Sequence, residues 1–191
     1  ISGWLSERDI EHRRVGNNII AEHIIDPSMP TLMLCAHIDT VSAGNEYSFD
    51  PYCPDYAKAA EVISTKIAYG ELPEAPAAAV NENEIVAGLG SNDDGASVVS
   101  MIAAFRYFTG RSLDYARDDK ENARDDNDTA NGTEKNIILV LSCEEERSGT
   151  NGMTGLWGSV LGNAEQTEHS EGAIKIDYAI VGEPTGMKAA I

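Results

Sequence analysis

The sequence predicts an α/β fold in which a mostly parallel β-sheet is sandwiched by helices. Two apolar runs, one at residues 32–36 and one within KNIILVLSC at 135–143, are short and unbroken, as expected of strands buried on both faces of a sheet. Between them, apolar residues recur at helical spacing from Val98 to Phe105. Strands that alternate with helices along a chain are typical of parallel sheets covered by helices.

Each strand is predicted from its own pattern. PTLMLCAHIDTV indicates a buried strand that ends near Ala36, and NNIIAEHI just before it indicates a neighbouring strand. KNIILVLSC is rich in β-branched residues and leucine, and it gives the strongest strand prediction. EIVAGLG predicts a short strand and a glycine-rich turn ahead of the helix. The last strand runs from Tyr178 to Val181, where Gly-Glu-Pro stops it.

Two stretches look like additions to this alternation. Residues 54–84 combine a helix-like half with a half rich in proline and alanine. Residues 114–135 are nearly free of apolar side chains, which predicts a solvated loop. A calcium-binding loop is the alternative for this stretch, but Ile138 falls at the position that needs a bidentate glutamate.

Composition limits the classes of function. The chain has 191 residues, enough for one domain, and a formal net charge of −18. This charge argues against nucleic acid and anionic membrane surfaces as partners, because both need a basic surface, but it leaves metal cations and small molecules open. The three cysteines, an odd number, predict a reducing compartment, and we expect a cytoplasmic protein. No apolar run approaches the roughly 18 residues of a membrane-spanning helix.

Acidic and imidazole side chains cluster at the carboxyl ends of the predicted strands or just after them. In an open α/β sheet the site forms in the crevice beyond these ends, so clusters from distant parts of the chain converge there. Many carboxylates in one crevice would repel each other unless a cation neutralised them. The four clusters are His37-Ile38-Asp39, Asp93-Asp94, Glu144-Glu145-Glu146 and Glu183.

Each cluster also has an ordinary structural interpretation. A histidine after a strand is more often structural than a metal ligand, Asp-Asp-Gly is usually a turn, and a glutamate triplet is usually a solvated surface. Their conjunction is what predicts a metal centre. One imidazole with several carboxylates suits zinc, cobalt or manganese better than a structural thiolate site. Asp39 either accepts the second imidazole N–H of His37, which would fix the tautomer, or caps a turn.

Four motifs resemble those of the M20 family of zinc-dependent metallopeptidases and amidohydrolases, and they occur in the family's order. They are LCAHIDTV, GLGSNDDGAS, SCEEERSGTNGM and VGEPTG, and they extend from residue 34 to residue 186. The family includes acetylornithine deacetylase, succinyl-diaminopimelate desuccinylase, aminoacylase and glutamate carboxypeptidases. The resemblance implies a zinc-exopeptidase-like catalytic domain.

The resemblance also implies a role for each matching residue. His37 matches the first ligand of one zinc ion, Asp39 the aspartate that orients this histidine, and Asp93 the aspartate that bridges two zinc ions. Glu183 matches the carboxylate that completes the protein ligands of the first ion. Asp94 stands where the family often has methionine or alanine, so we interpret it as a neighbour and not as a ligand.

The glutamate triplet leaves two registers open. In the family's Asp-Glu-Glu motif, the first glutamate is the general base and the second binds the other zinc ion. Counting back from Asn151-Gly152 favours Glu145 as the base and Glu146 as the ligand, with Glu144 in the aspartate position. The alternative register has Glu144 as the base and Glu145 as the ligand.

The implied reaction is metal-dependent hydrolysis of an amide bond. Two zinc ions would hold a bridging water, with cobalt or manganese as alternative metals. Glu145 would take a proton from this water and deliver it to the leaving amine. The motifs look most like acetylornithine-deacetylase-type sequences, which implies an N-acyl amino acid as the small-molecule substrate.

Other functions compete with this one. Within the family, the alternatives are a dipeptidase or carboxypeptidase, which would act on short peptides, and a desuccinylase. From a different class, the net charge and the polar stretch at 114–135 would also suit a non-catalytic acidic module that binds cations or a protein.

The chain is short compared with members of this family. They carry a lid or dimerisation domain after the GEPT motif, and then a second catalytic segment that supplies a last histidine to the second zinc ion. No histidine follows Glu183. We therefore expect residues 1–191 to be a single N-terminal portion of a catalytic domain, without the lid and the C-terminal segment. We expect weak or absent metal at the second site, which puts the activity of this chain in question, and a homodimer only for a full-length protein.

Overall fold

A computed structural model describes residues 1–45, 50–52, 55–71, 88–109, 135–161 and 174–183. These ranges contain five strands and four helices. The strands are β1 (Arg13–Val15), β2 (Asn18–His23), β3 (Thr31–His37), β4 (Asn136–Ser142) and β5 (Tyr178–Val181). The helices are α1 (Ser2–Ser6), α2 (Tyr56–Ala68), α3 (Gly95–Phe108) and α4 (Met153–Ser159).

The five strands form one mixed sheet in the order β1-β2-β4-β3-β5. β3 runs parallel to both β4 and β5, whereas β2 is antiparallel to both β1 and β4. The α/β fold is confirmed, but the prediction of a mostly parallel sheet needs correction. The turn at Gly16-Asn17 joins β1 to β2 as a tight hairpin, and a two-residue connection of this kind allows only antiparallel pairing.

The position of β2 also differs from the prediction, because its neighbours are β1 and β4 and not β3. All seven residues of β4 are buried, so this strand needs a neighbouring strand along each edge and packed side chains on each face. β4 lies at the centre of the sheet, where β2 is its neighbour on one side and β3 is its neighbour on the other.

Helices pack on both faces of the sheet. Side chains alternate along β4, so Leu139 faces the cluster that contains Leu5 of α1, while Val140 faces the cluster that contains Leu156 of α4. The first cluster also contains three residues of α3 at helical spacing, Val98, Ile102 and Phe105. The helix predicted from this spacing is confirmed, and it lies against the same sheet face as α1.

Other predictions along the chain have mixed outcomes. α2 confirms the helix-like half of residues 54–84. Outside the described residues lie the proline- and alanine-rich half of that stretch, the short strand predicted before the glycine-rich turn, and nearly all of the polar stretch at 114–135. Among the residues that are described, no helix is both long and apolar enough to cross a membrane.

Asn136 organises the amino ends of β3 and β4. This residue is 1% exposed, and its side chain oxygen accepts hydrogen bonds from the N–H groups of Ile25 (2.9 Å) and Asp26 (3.2 Å). Its Nδ2 donates to the carbonyl oxygens of Asp26 (2.8 Å) and Met29 (3.0 Å). One amide thereby satisfies the main chain of the loop between β2 and β3, which holds that loop against the start of β4.

Candidate metal centre

The carboxyl ends of the three parallel strands bring the predicted site residues to one edge of the sheet. His37 is the last residue of β3, and it pairs with Ser142 at the end of β4. The glutamate triplet follows β4 directly, and Glu183 follows β5 by two residues. Asp93 reaches the same edge from the turn ahead of α3, where the peptide bond to Asp94 is cis.

His37 is the centre of the site. Its side chain is 2% exposed. Nδ1 lies 3.0 Å from the carbonyl oxygen of Asp39, and Nε2 lies 2.9 Å from Oδ1 of Asp93. A carbonyl oxygen can only accept, so Nδ1 carries a proton and donates it. This contact fixes the tautomer that leaves Nε2 available as a ligand once its own proton is lost.

The surroundings of His37 decide which protonation state the imidazole prefers. Burial lowers the pKa of His37, but the hydrogen bonds with Asp93 and with the Asp39 carbonyl raise it, as do the negative charges of Asp94 and Glu145. The net effect is a pKa above the usual value for histidine. A cation at this position would therefore have to displace a proton that the carboxylates help to hold.

Three potential metal ligands converge at this point. His37, Asp93 and Glu146 each offer a ligand atom, and these three atoms lie within 4.8 Å of one another. One imidazole and two carboxylates form a donor set that zinc accepts readily, with manganese and cobalt as alternatives. The residues present therefore fit a divalent cation. The group combines residues that the family resemblance assigns to two different zinc ions, with Asp93 common to both.

Asp39 makes a different set of contacts from the one expected. Its carboxylate accepts the main-chain N–H groups of Glu145 (3.1 Å) and Glu146 (3.2 Å). Oδ1 of Asp39 lies 3.6 Å from Nδ1 of His37, an ion-pair distance, and the hydrogen bond to the imidazole comes from the Asp39 carbonyl oxygen instead. Asp39 thus fixes the loop that carries the glutamates as well as the histidine.

Glu144 turns away from this group of ligands. Its carboxylate accepts hydrogen bonds from the main-chain N–H of Asn151 (3.1 Å) and from Nδ2 of Asn151 (3.0 Å). Glu144 itself has a φ of 61°, and its side chain packs so closely on Gly149 that a Cβ at position 149 would collide with it. The contacts of Glu144 are therefore those of a residue that shapes the loop.

Glu145 and Glu183 line a small cavity next to His37. Oε2 of Glu145 lies 3.9 Å from Nε2 of His37. The cavity has a volume of about 160 Å³, and Glu183 forms part of its wall. Burial raises the pKa of the Glu183 carboxyl, and the negative charge of Glu145 raises it further. Glu183 shares this cavity with His37 but stands outside the group of three close ligands.

The rest of this cavity wall is mainly apolar and was not predicted from the sequence. Met153 and Trp157 contribute to it from α4, and Met33 and Cys35 contribute from β3. Burial raises the pKa of the Cys35 thiol to about 11, so this cysteine stays protonated and is a poor metal ligand at neutral pH. The signal for Met153 and Trp157 is their i, i+4 spacing, which places both on one side of a helix that follows the glutamates.

Asn18 is a second residue of the site that was not predicted from the sequence. It is 1% exposed, and its Nδ2 donates to the carbonyl oxygen of Asn151 (2.7 Å). Its Oδ1 accepts the N–H of Cys143 (2.8 Å). The first residue of β2 thereby holds both ends of the glutamate loop, so the loop is anchored from behind by a buried amide.

Comparisons with known proteins give no family for this chain. It matches no protein-family model, and no curated protein matches it. The resemblance to the M20 family therefore stays a prediction that depends on the four motifs.

Proposed function

We propose that the chain carries the metal centre of a hydrolase that cleaves the amide bond of an N-acyl amino acid. One observation carries this proposal: His37, Asp93 and Glu146 converge within 4.8 Å, and a further carboxylate, that of Glu145, lies 3.9 Å from the same imidazole nitrogen. Three ligands with an adjacent carboxylate outside the ligand group have the composition of a metal site that also moves protons.

The side chains divide the work. Zinc, when bound, supplies a Lewis acid that polarises the amide carbonyl and acidifies water. His37, Asp93 and Glu146 would hold it. Glu145 accepts a proton from the attacking water and passes it to the leaving amine, for which its half-exposed carboxylate is suitably placed. Asp39 binds the N–H groups of both glutamates, which fixes the separation between the ligand and the base.

The register with Glu145 as the base and Glu146 as the ligand has support from the contacts of Glu144. The carboxylate of Glu144 is already engaged by Asn151, whereas Glu146 has a ligand atom close to those of His37 and Asp93. The other register would require Glu144 to leave these hydrogen bonds.

The neighbouring cavity supports a small acyl group as part of the substrate. Its volume of about 160 Å³ and its apolar side chains, among them Met153 and Trp157, suit an acetyl group better than a charged succinyl group. Dipeptides and other short peptides remain alternative substrates of the same chemistry. The net charge of −18 supports small molecules over nucleic acids and membranes as partners, and the three cysteines support a cytoplasmic location.

Two adjacent glutamates allow a matched test. In the full chain, Glu145→Gln should lower kcat for N-acetylornithine by roughly 10²–10⁴-fold, because a general base contributes about that much. Zinc content, measured by elemental analysis, should not change. Glu144→Gln is the control, and it should retain most of the activity because glutamine still offers Asn151 an acceptor.

The other outcomes are equally informative. Loss of activity in Glu144→Gln, together with loss of zinc in Glu145→Gln, would establish the alternative register. Two tightly bound zinc ions per chain with no hydrolysis would instead favour a non-catalytic cation-binding module. A wild-type chain that binds no divalent metal would overturn the metal centre itself.

A further inference from the structure

Asp94 is the most deeply buried carboxylate near the site, although it is outside the group of potential ligands. The residue is 2% exposed, and its Oδ2 accepts the main-chain N–H of His37 at 3.0 Å. Asp94 is also the N-cap residue of α3, where a carboxylate commonly accepts an N–H of its own helix, but its side chain makes no such capping bond. The side chain instead reaches across to β3.

Consecutive aspartates therefore hold the same histidine at two different points. Asp93 contacts the ring at Nε2 (2.9 Å), and Asp94 binds the main-chain nitrogen (3.0 Å). Asp93 and Asp94 are adjacent in the chain. The turn before α3 therefore fixes both the position of the His37 backbone and the position of Asp93, a potential ligand of the same metal ion. We propose that Asp94 is a positioning residue, which sets the place of His37 relative to Asp93 and Glu146 through the His37 backbone. The inference rests on the proposed metal centre.

The turn that carries Asp94 is packed too tightly to move independently of β3. A Cβ at Gly90 would lie 2.5 Å from Cγ2 of Thr40, and Gly90 has a φ of 78°. The carbonyl oxygen of Gly90 accepts the N–H of Gly95 at 2.7 Å, and a Cβ at Gly95 would collide with that oxygen. Glycine at positions 90 and 95 therefore allows the turn to pack closely against Thr40. This packing places Asp94 within hydrogen-bond distance of the His37 main chain.

The surroundings of Asp94 differ from those of the nearby carboxylates Glu145 and Glu183. Oδ1 is buried and has no hydrogen-bond partner among the residues that the structure describes. Asp94 lines a cavity of about 100 Å³ together with Thr40 and Val98, whereas Glu145 and Glu183 line the other cavity. His37 belongs to the walls of both. Asp94 is outside the group of three close ligands, and its Oδ2 accepts the His37 N–H, so its observed contact is that of a hydrogen-bond acceptor.

Two substitutions of Asp94 should have different effects. Asp94→Asn keeps an oxygen that can accept the His37 N–H, whereas Asp94→Ala removes it. We expect Asp94→Ala to weaken zinc binding by roughly 10–100-fold, the usual range for residues that orient a ligand. Asp94→Asn should stay within about threefold of the wild type by the same reasoning. Zinc affinity would be measured by competition with a chelator, with Glu61→Gln on the exposed side of α2 as a control for the change in net charge.

A second measurement uses the metal-free chain, so it does not depend on the proposed function. In Asp94→Ala, the amide proton of His37 should exchange faster with solvent and the imidazole resonances of His37 should shift, while those of His12 and His23 stay in place. In Asp94→Asn, the same amide proton should move upfield, because it loses a charged acceptor, and its exchange should remain slow.

The possible results bear on the metal centre and on the role of Asp94 separately. If the wild-type chain binds no zinc, the metal centre fails, and the amide resonances alone decide the role of Asp94. Unchanged zinc affinity in a folded Asp94→Ala variant would overturn the positioning role. If that variant does not fold, an unmoved His37 amide resonance in Asp94→Asn would overturn it instead.

Discussion

The two ends of the parallel strands differ in the partners that their polar groups have. At the amino ends, the buried amide of Asn136 makes hydrogen bonds to the surrounding main chain, and Asp177 accepts the N–H of Thr31 (3.0 Å) and pairs with Lys175 (2.6 Å). At the carboxyl ends, carboxylates from three parts of the chain face one buried histidine. One end satisfies its polar groups from within the protein, whereas the other gathers several carboxylates around a single imidazole.

The carboxylates at either end of β5 show this difference within one strand. Asp177 comes just before β5, and hydrogen bonds from Lys175 and Thr31 hold its pKa below the usual value. Glu183 comes two residues after β5, and burial together with the charge of Glu145 raises its pKa. The amino end is therefore built to hold a charge, whereas at the carboxyl end one imidazole faces several carboxylates. Its effect on the pKa of Glu183 is smaller than the effects of burial and of Glu145.

The largest expected effect is the loss of the amide at the amino ends. Asn136→Ala removes both the donors and the acceptor that satisfy the loop at residues 25–29, and it leaves buried main-chain groups unpaired. We expect the free energy of unfolding to fall by roughly 3–4 kcal/mol. Urea denaturation would measure it. Asn17→Ala, at an exposed turn position, is the matched control and should change stability by less than about 0.5 kcal/mol. Equal effects at both positions would contradict the comparison.

A somewhat smaller effect is expected from adding a cation to the carboxyl ends. Zinc at about 100 times its dissociation constant should raise the free energy of unfolding by about 2.7 kcal/mol, since it binds only the folded chain. His37→Ala should abolish this stabilisation, whereas His23→Ala, at the other end of the sheet's strands, should preserve it. Equal stabilisation of the wild type and His37→Ala would place the metal elsewhere.

The smallest expected effect is the pH dependence of stability in the metal-free chain. A carboxyl with a raised pKa binds its proton more tightly when folded, so the contribution of Glu183 is complete at low pH and is lost as the pH rises through its folded pKa. The contribution of Asp177 has the opposite sign and is lost as the pH falls through its lowered pKa. The free energy of unfolding would be measured by denaturation from pH 3 to 8 in the presence of a chelator. Its dependence on pH should become weaker on the neutral side in Glu183→Gln and on the acid side in Asp177→Asn. Parallel curves for all three proteins would show that the two ends do not differ.

Much of the fold follows from local patterns in the sequence. β4 contains an unbroken apolar run, and the structure buries all seven residues of the strand. α3 follows from the spacing of Val98, Ile102 and Phe105, and β5 has the bounds that Gly-Glu-Pro predicts. The order of the strands could not be predicted in the same way. The strand order depends on which strand most needs a neighbour along both edges, and this can be judged only from all the strands of the sheet together.

The candidate site shows the same division. The rule that polar residues gather at the carboxyl ends of parallel strands brings His37, Asp93 and Glu146 together from distant sequence. The direction of each carboxylate is not encoded in that rule. Glu144 turns to Asn151 and Asp39 turns to the glutamate main chain because of hydrogen bonds that form only once the loop is closed. The contacts of Asn18 and Asp94 could not be predicted for the same reason, since their partners lie far away in sequence.

The parallel pairing of β3 with β4 has a consequence for folding kinetics. The two strands align along their whole length, yet residues 37 and 136 are separated by about a hundred positions, a long loop to close before any pairing is gained. Closure entropy grows only logarithmically, so each doubling of the intervening chain costs about 0.6 kcal/mol more. Insertions between these strands are therefore cheap at equilibrium, while the search for the pairing is slow. An ion held between His37 and Glu146 would close this same loop, and it would stabilise a contact between distant parts of the sequence.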